Sequence, residues 1–144
     1  MIRAKLFVVC ESASIDSRTN SVSAFHIMDQ LNAMAFPVVL PHVSIIALFA
    51  REDADASNVQ FQLQIFLEDQ QLFGGPLRVN FVQQLLARTV LDMHGLLLTR
   101  PGTLRFVLRN GDEMLGSWTA LVTQVGQPGF QMAFPPPPPQ PAHG

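Results

Sequence analysis

The clearest pattern in the chain is an alternation of apolar and polar residues between positions 59 and 68, which only Phe66 interrupts. A β-strand points successive side chains to opposite faces, so the alternation predicts a strand with one buried face and one glutamine-rich face in water. One wet face is typical of an antiparallel sheet. The apolar positions are Val59, Phe61, Leu63, Ile65 and Leu67, and the polar ones are Gln60, Gln62, Gln64 and Glu68.

Two later segments repeat the alternation, and turn residues stand beside each of them. Segment 77–81 follows Gly74-Gly75-Pro76, which predicts a turn between two neighbouring strands. Segment 104–108 precedes Asn110-Gly111, the residue pair best suited to the positive φ angles of a two-residue hairpin turn. Segment 114–125 is then predicted to be the partner strand of that hairpin.

Other segments are less regular. Residues 2–9 are β-branched and aromatic, and residues 43–49 are apolar on both faces, as in a central strand. The apolar spacings at 25–35 and 82–93 also suit a helix, and periodicity alone leaves helix or strand open at 82–93. About eight candidate strands with turns between them predict an all-β fold, an antiparallel β-sandwich of the immunoglobulin-like or jelly-roll-like kind.

Composition divides the chain near Val125. Residues 126–144 hold seven of the eleven prolines and no Asp, Glu, Lys or Arg. Consecutive prolines lack the amide donors that a helix or sheet needs, so we expect a C-terminal tail that is extended polyproline II or disordered. Residues 1–125 then form the single β-sandwich domain, which is long enough to bury a core.

Three stretches carry a family resemblance: the apolar opening at 5–11, the segment Ser-Ala-Phe-His-Ile-Met-Asp-Gln-Leu at 23–31, and the late stretch 92–108 with its Pro101-Gly102 turn. Together they resemble a family of small bacterial β-sandwich proteins of unknown function. The resemblance covers roughly residues 3–125, although Leu104 stands where an aromatic residue is usual. It implies a β-sandwich and a strand at 82–93, and it implies no activity.

Charge and cysteine content exclude several classes of protein. The formal net charge is −2, so no basic stripe for nucleic acid is expected. The apolar stretch at 43–50 is far shorter than the about 20 residues that span a bilayer. The stretch after Arg3 and Lys5 is too short for an export signal. Because the single Cys10 cannot form an intramolecular disulfide, we expect a reducing compartment, the cytoplasm.

Few residues suggest catalysis. The chain has no Gly-x-Ser-x-Gly motif, and Cys10 in a predicted strand is expected to be a buried thiol. The carboxylates at 52–55 and 112–113 fall in predicted turns and are expected to be solvated. We therefore expect no enzyme, no catalytic residue and no cofactor. Three arginines are predicted to point outward: Arg78, Arg105 and Arg109. Such a face could bind carboxylates or phosphates in a bidentate way, but without flanking aromatic residues the favoured interpretation is solubility.

One set of residues suggests a metal site. On a strand at 85–94, Asp92 and His94 lie two residues apart and share a face, and His42 begins another apolar strand. Imidazole and carboxylate side chains bind zinc or iron in such positions. The alternative is a set of solvated or singly hydrogen-bonded side chains, which the lack of HxH or HExxH spacing favours.

The tail suggests recognition by a protein partner, since a preformed polyproline II segment loses little entropy on docking. The alternative is a spacer. The candidate partner-binding residues are Phe134, Pro135, Pro136, Pro137, Pro138 and Pro139.

Scarcity of charge bears on function. Charged residues make up 14% of the chain, below the roughly 25% that is typical, and apolar strand faces invite contact with another chain. The sequence therefore predicts a non-catalytic β-sandwich module that acts through protein–protein contact as a homo-oligomer. The alternatives are a small-molecule or carbohydrate-binding sandwich domain and a metal-dependent jelly-roll enzyme.

Overall fold

A computed structural model describes residues 1–125, and every regular element in that range is a β-strand. This confirms the all-β prediction, with nine strands in the described range rather than about eight. The strands are β1 (Arg3–Ile15), β2 (Val22–Ile27), β3 (Gln30–Ala33), β4 (Val38–Ala50), β5 (Asn58–Leu67), β6 (Gln70–Asn80), β7 (Leu86–Leu98), β8 (Gly102–Asn110) and β9 (Glu113–Gln124).

The strands form two sheets that pack as a sandwich. The four-stranded sheet has the order β2-β1-β4-β7, and the five-stranded sheet has the order β3-β9-β8-β5-β6. Neighbouring strands pair antiparallel, except that β3 runs parallel to β9. The core lies between the sheets, where the rings of Phe49 and Phe61 meet with centroids 5.0 Å apart.

The predicted alternation in β5 is confirmed. Phe61, Leu63, Ile65 and Leu67 are at most 2% exposed, because all four point between the sheets. The β8–β9 hairpin is also confirmed. Its turn residues are Gly111 and Asp112, one position later than the Asn-Gly pair predicts, since Asn110 still pairs with Glu113.

The turn predicted at Gly74-Gly75-Pro76 is wrong, because these residues lie inside β6. The chain reverses at Glu68-Asp69 instead, where Glu68 adopts a φ of 51° and Leu67 pairs with Gln70. In the described residues β6 pairs only with β5, so it is an edge strand. Proline is tolerated there because its missing amide donor is not needed on the open side.

The two segments whose periodicity also suits a helix are strands. Residues 25–35 contain the end of β2 and the whole of β3. The family resemblance implies a strand at 82–93, and residues 86–93 are indeed part of β7. Val82 and Gln83 lie in the preceding loop and have positive φ angles.

Strands β4 and β7 exchange their buried and outer faces part-way along their length. Val43 and Met93 contact the core, as does Leu40 three residues before Val43. The exchange falls between them, where Pro41 stands opposite Gly95, whose φ is +76°. A pair of irregular residues in facing positions lets both strands switch faces without losing register.

Two features complete the description. No helix in residues 1–125 is long and apolar enough to cross a membrane. The predicted tail at 126–144, with its candidate partner-binding residues Phe134 to Pro139, lies outside the described residues.

Candidate functional site

The pairing of β4 with β7 brings the three candidate metal ligands together. His42 stands opposite His94, and Ser44 stands opposite Asp92. The imidazole rings of His42 and His94 have centroids 4.9 Å apart and are tilted by 34°. Nε2 of His42 lies 3.2 Å from Oδ1 of Asp92. The proximity that the spacing predicts is therefore present.

This cluster does not fit a metal centre. Nδ1 of His42 donates a hydrogen bond to the carbonyl oxygen of Glu11, 2.7 Å away, and its Nε2 faces Asp92. Asp92 also accepts a hydrogen bond from the Ser44 hydroxyl at 2.6 Å. In residues 1–125 no three His, Cys, Asp or Glu side chains are placed to hold a metal ion. The hydrogen-bonded alternative describes these residues better.

The same residues do not form a nucleophilic triad. In a serine triad the histidine lies between the hydroxyl and the carboxylate. Here Asp92 lies between Ser44 and His42, and both contact its Oδ1. The Ser44 hydroxyl therefore has no histidine to accept its proton, and it is itself fully buried.

Cys10 is buried, as predicted, and lies beside Ser44 in the sheet. Its thiol donates to the carbonyl oxygen of Ser12 at 3.2 Å. Burial raises the pKa of Cys10, which keeps it in the unreactive thiol form. It does not join the core between the sheets, because it points to the opposite face of its strand.

The candidate carboxylates at 52–55 and Asp112 lie in loops, as the sequence predicts, whereas Glu113 is the first residue of β9. The amino group of Met1 lies 2.8 Å from the Asp55 carboxylate and lowers the pKa of that side chain. A carboxyl group held ionised in this way is a poor general acid. Glu52 contacts the same amino group at 3.2 Å.

The outer face of the four-stranded sheet is apolar. Its residues follow from the pairing of β1, β2, β4 and β7: they share the side of the sheet that carries Ser44 and Asp92, away from the core. Phe25 and Ile27 are 50% and 53% exposed. Ile46 shares this side but is only 2% exposed. We call the following set the apolar face: Leu6, Val8, Phe25, Ile27, Leu48, Leu86 and Val90.

The outer face of the five-stranded sheet is polar. Arg105 lies over the ring of Phe66, 5.2 Å from its centroid, and Nε of Arg109 donates to Gln64 at 3.1 Å. The outward direction predicted for the arginines is confirmed. The polar residues of this face are Gln60, Gln62, Gln64, Arg78, Arg105, Arg109, Ser117 and Thr119.

Comparison with known proteins assigns the chain to a family. A model of a family of unknown function, DUF6941, matches residues 5–123. The chain belongs to this family. No curated protein matches it. Membership of DUF6941 agrees with the resemblance seen in the sequence, and it brings no substrate, ligand or catalytic residue with it.

Sequence reasoning found only part of the apolar face of this DUF6941 domain. The segment 43–49 signals it, because it is apolar on both faces. Phe25 and Ile27 were missed, since the segment 25–35 also suits a helix and their partners on β1 lie 13 and 17 residues away. Only the pairing of Ile27 with Cys10 and of Phe25 with Ser12 shows that they extend the same surface.

Proposed function

We propose that this chain is a non-catalytic β-sandwich module that binds a second copy of itself through the apolar face. The observation that carries the proposal is the contrast between its two outer surfaces. One sheet turns mainly leucine, isoleucine, valine and phenylalanine outward, with Arg88 and Asp92 at one margin. The other turns mainly glutamine and arginine outward, with Phe66 and Leu121 among them. An antiparallel sheet that faces water on one side is normally polar there.

The extent of the apolar surface supports contact with protein. It crosses all four strands of its sheet, from Phe25 on β2 to Leu86 on β7, and these two residues are 50% and 54% exposed. Contiguous apolar patches of this kind mark interaction surfaces. Burying them is favourable by about 25 cal/mol for each Å² removed from water.

A second copy suits this surface. A two-fold axis requires a self-complementary patch, and a sheet of low charge can pack face to face on its own copy. Charged residues stand at its β7 margin, where Arg88 and Asp92 have opposite signs. Both already have hydrogen-bond partners within the chain, because Arg88 donates to Asn20 and Asp92 accepts from Ser44, so neither needs a charged partner in the second copy.

The other elements of the proposal follow from the side chains described above. Ser44, Cys10 and His42 are engaged in hydrogen bonds that leave no activated nucleophile, which supports a non-catalytic role. The single buried cysteine supports a reducing compartment, and we place the module in the bacterial cytoplasm.

The mass of the protein in solution tests the proposal. We expect the full chain at tens of micromolar to have twice the 15.9 kDa chain mass by light scattering. The double variant Phe25→Asp/Ile27→Asp places two charges in the interface and should raise the dissociation constant by at least about a hundredfold, since each buried unpaired charge costs several kcal/mol.

Gln62→Asp on the polar outer face is the matched control and should leave the mass unchanged. Both changed residues of the test variant lie half exposed on an edge strand, so the fold should persist. A monomeric wild-type chain, or equal association of the two variants, would show that the apolar face is not the interface.

A further inference from the structure

A groove opens along the side of the sandwich where β6 faces β7. It has a volume of about 620 Å³. Leu72, Phe73, Leu91 and Met93 line it, and these are partly buried residues that pack against the core. The groove thus exposes the flank of the hydrophobic core between the two sheets. Its polar rim is formed by Gln70, Gln71, Asp92, His94 and Thr99.

The opposite side of the sandwich is closed by the chain itself. Met28 joins β2 to β3 across the two sheets and is 5% exposed. Its amide donates to the carbonyl oxygen of Val9, and its own carbonyl oxygen accepts from Nε1 of Trp118 at 2.6 Å. Nothing equivalent in the described residues covers the β6–β7 side beside the groove.

Both strands beside the groove are edges. Within residues 1–125, β6 pairs only with β5, and β7 pairs only with β4. Each therefore presents unpaired backbone N–H and C=O groups along one side. An extended segment can add to such an edge and place every second side chain in an adjacent apolar groove.

The chain contains a segment with that pattern. Residues 129–134 read Gly-Phe-Gln-Met-Ala-Phe, so Phe130, Met132 and Phe134 share one face when the backbone is extended. Pro128 and Pro135 bound the segment, and the absence of an amide donor at each would end strand pairing there. No Asp, Glu, Lys or Arg interrupts it.

The length of residues 129–134 agrees with the length of the groove. Six extended residues span about 20 Å. The part of β7 that lines the groove, from Leu91 to Leu97, has seven residues and spans a similar distance. Three apolar side chains spaced by about 7 Å can therefore lie along the whole groove.

We propose that residues 129–134 of one copy bind as an added strand in the groove beside β7 of a second copy. The groove of the same domain suits the segment less well. Val125 donates to the carbonyl oxygen of Ala33, on the β3–β9 side. From β9 to β6 are three strand spacings, about 14 Å. Residues 126–129 extend at most about 14 Å, so they would have to be fully extended to reach that groove, whereas a second copy imposes no such limit.

This contact goes beyond the proposed function, because it uses another surface and another segment. The apolar face packs on its own copy in a symmetric way, whereas segment and groove are different surfaces that join head to tail. Either contact can exist without the other.

A labelled peptide tests the proposal on the full-length chain. The acceptor carries Phe130→Ser, Met132→Ser and Phe134→Ser, so that its own segment does not compete. We expect a fluorescein-labelled peptide of residues 127–136 to bind it with a micromolar dissociation constant by anisotropy. A peptide with the same three serines should bind at least about tenfold more weakly, because it lacks the apolar anchors.

Groove substitutions in the acceptor supply the second arm. Met93→Arg and the more exposed Leu97→Arg should each weaken peptide binding at least about tenfold, whereas Gln62→Arg on the polar outer face should not. Unchanged Trp118 emission verifies the fold of each variant. Equal binding of the wild-type and serine peptides, or no effect of either groove substitution, would overturn the proposal.

A cross-link distinguishes a second copy from the same copy. Met132→Cys and His94→Cys in a Cys10→Ala chain should form a disulfide between two differently tagged copies. Only intramolecular disulfides would overturn the assignment to a second copy. The Phe25→Asp/Ile27→Asp variant should bind the peptide as the parent does. Peptide binding by this variant, which no longer associates through the apolar face, would show that the two contacts are independent.

Discussion

Three neighbouring residues show how polar groups are accommodated beneath the apolar face. Cys10, Ser44 and Asp92 stand in one row across β1, β4 and β7. Ser44 is fully buried, and its hydroxyl donates to the half-exposed carboxylate of Asp92. Buried polar groups are tolerated when they are paired in this way. The row therefore serves packing and hydrogen bonding within the sheet.

Cys10 provides a prediction at this scale. Because its thiol is fully buried and burial raises its pKa, we expect little thiolate and little access for a reagent. Its reaction with Ellman's reagent at pH 8 should be at least about a hundredfold slower in the native chain than in denaturant.

The matched control is Ser14→Cys in a Cys10→Ala chain, which places a thiol at an exposed position of the same strand. That thiol should react at a rate close to that of the denatured chain. Native Cys10 reacting as fast as Cys at position 14 would show that the outer face of β1 opens readily.

At the scale of elements, β4 and β7 exchange their core-facing and outer positions part-way along their length. Before the exchange, β4 turns Leu40 to the core, and after it β4 turns Val43 there. Gly95 enables the change on β7 by adopting a φ of +76°, a conformation that residues with a Cβ rarely adopt.

Gly95 therefore carries a stability prediction. A Cβ there would meet no atom within 4 Å, so substitution tests the backbone alone. Gly95→Ala should lower the free energy of unfolding by about 1–2 kcal/mol. Gly95→Asn should cost less, because Asn tolerates the left-handed region better. Urea denaturation measures both, and Ala matching Gly in stability would contradict the prediction.

Local patterns predicted much of the fold. The alternation in β5 and the Asn110-Gly111 pair are signals between near neighbours, and both hairpins exist. The turn at Glu68-Asp69 was missed, since the residue that adopts the positive φ is Glu68 and glutamate is not a type that signals it. The parallel pairing of β3 with β9 joins residues about 90 apart and has no local signal.

Part of the candidate site could also be predicted from the sequence. The spacing of Asp92 and His94 predicted a shared strand, and the register of β4 with β7 brings His42 to them. The hydrogen bond from His42 to the Glu11 carbonyl oxygen could not be predicted, because it depends on where β1 passes. That contact and the Ser44 bond to Asp92 make the cluster structural.

At the scale of the whole molecule, the two sheets divide the surface into an apolar side and a polar side. All three arginines of the polar outer face lie on the five-stranded sheet. In the proposed dimer the polar side remains in contact with water while the apolar side is covered.

Salts provide a prediction at this scale. Because the proposed dimer buries mainly apolar surface, its dissociation constant should change less than about twofold between about 0.05 and 0.5 M NaCl. Over this range the Debye length, which sets the reach of interactions between exposed charges, falls through about 10 Å. Ammonium sulfate should lower the constant, since it favours burial. Sedimentation equilibrium measures both, and strong weakening by NaCl would point to an ionic interface instead.

The bridge at Met28 also makes the molecule its own optical reporter. Trp118 is the only tryptophan, and the chain has no tyrosine, so the near-ultraviolet emission comes from one indole. That indole is held by the carbonyl oxygen of Met28, on the segment that joins the two sheets. Its emission therefore records separation of the sheets, and unfolding can be followed in an unlabelled sample.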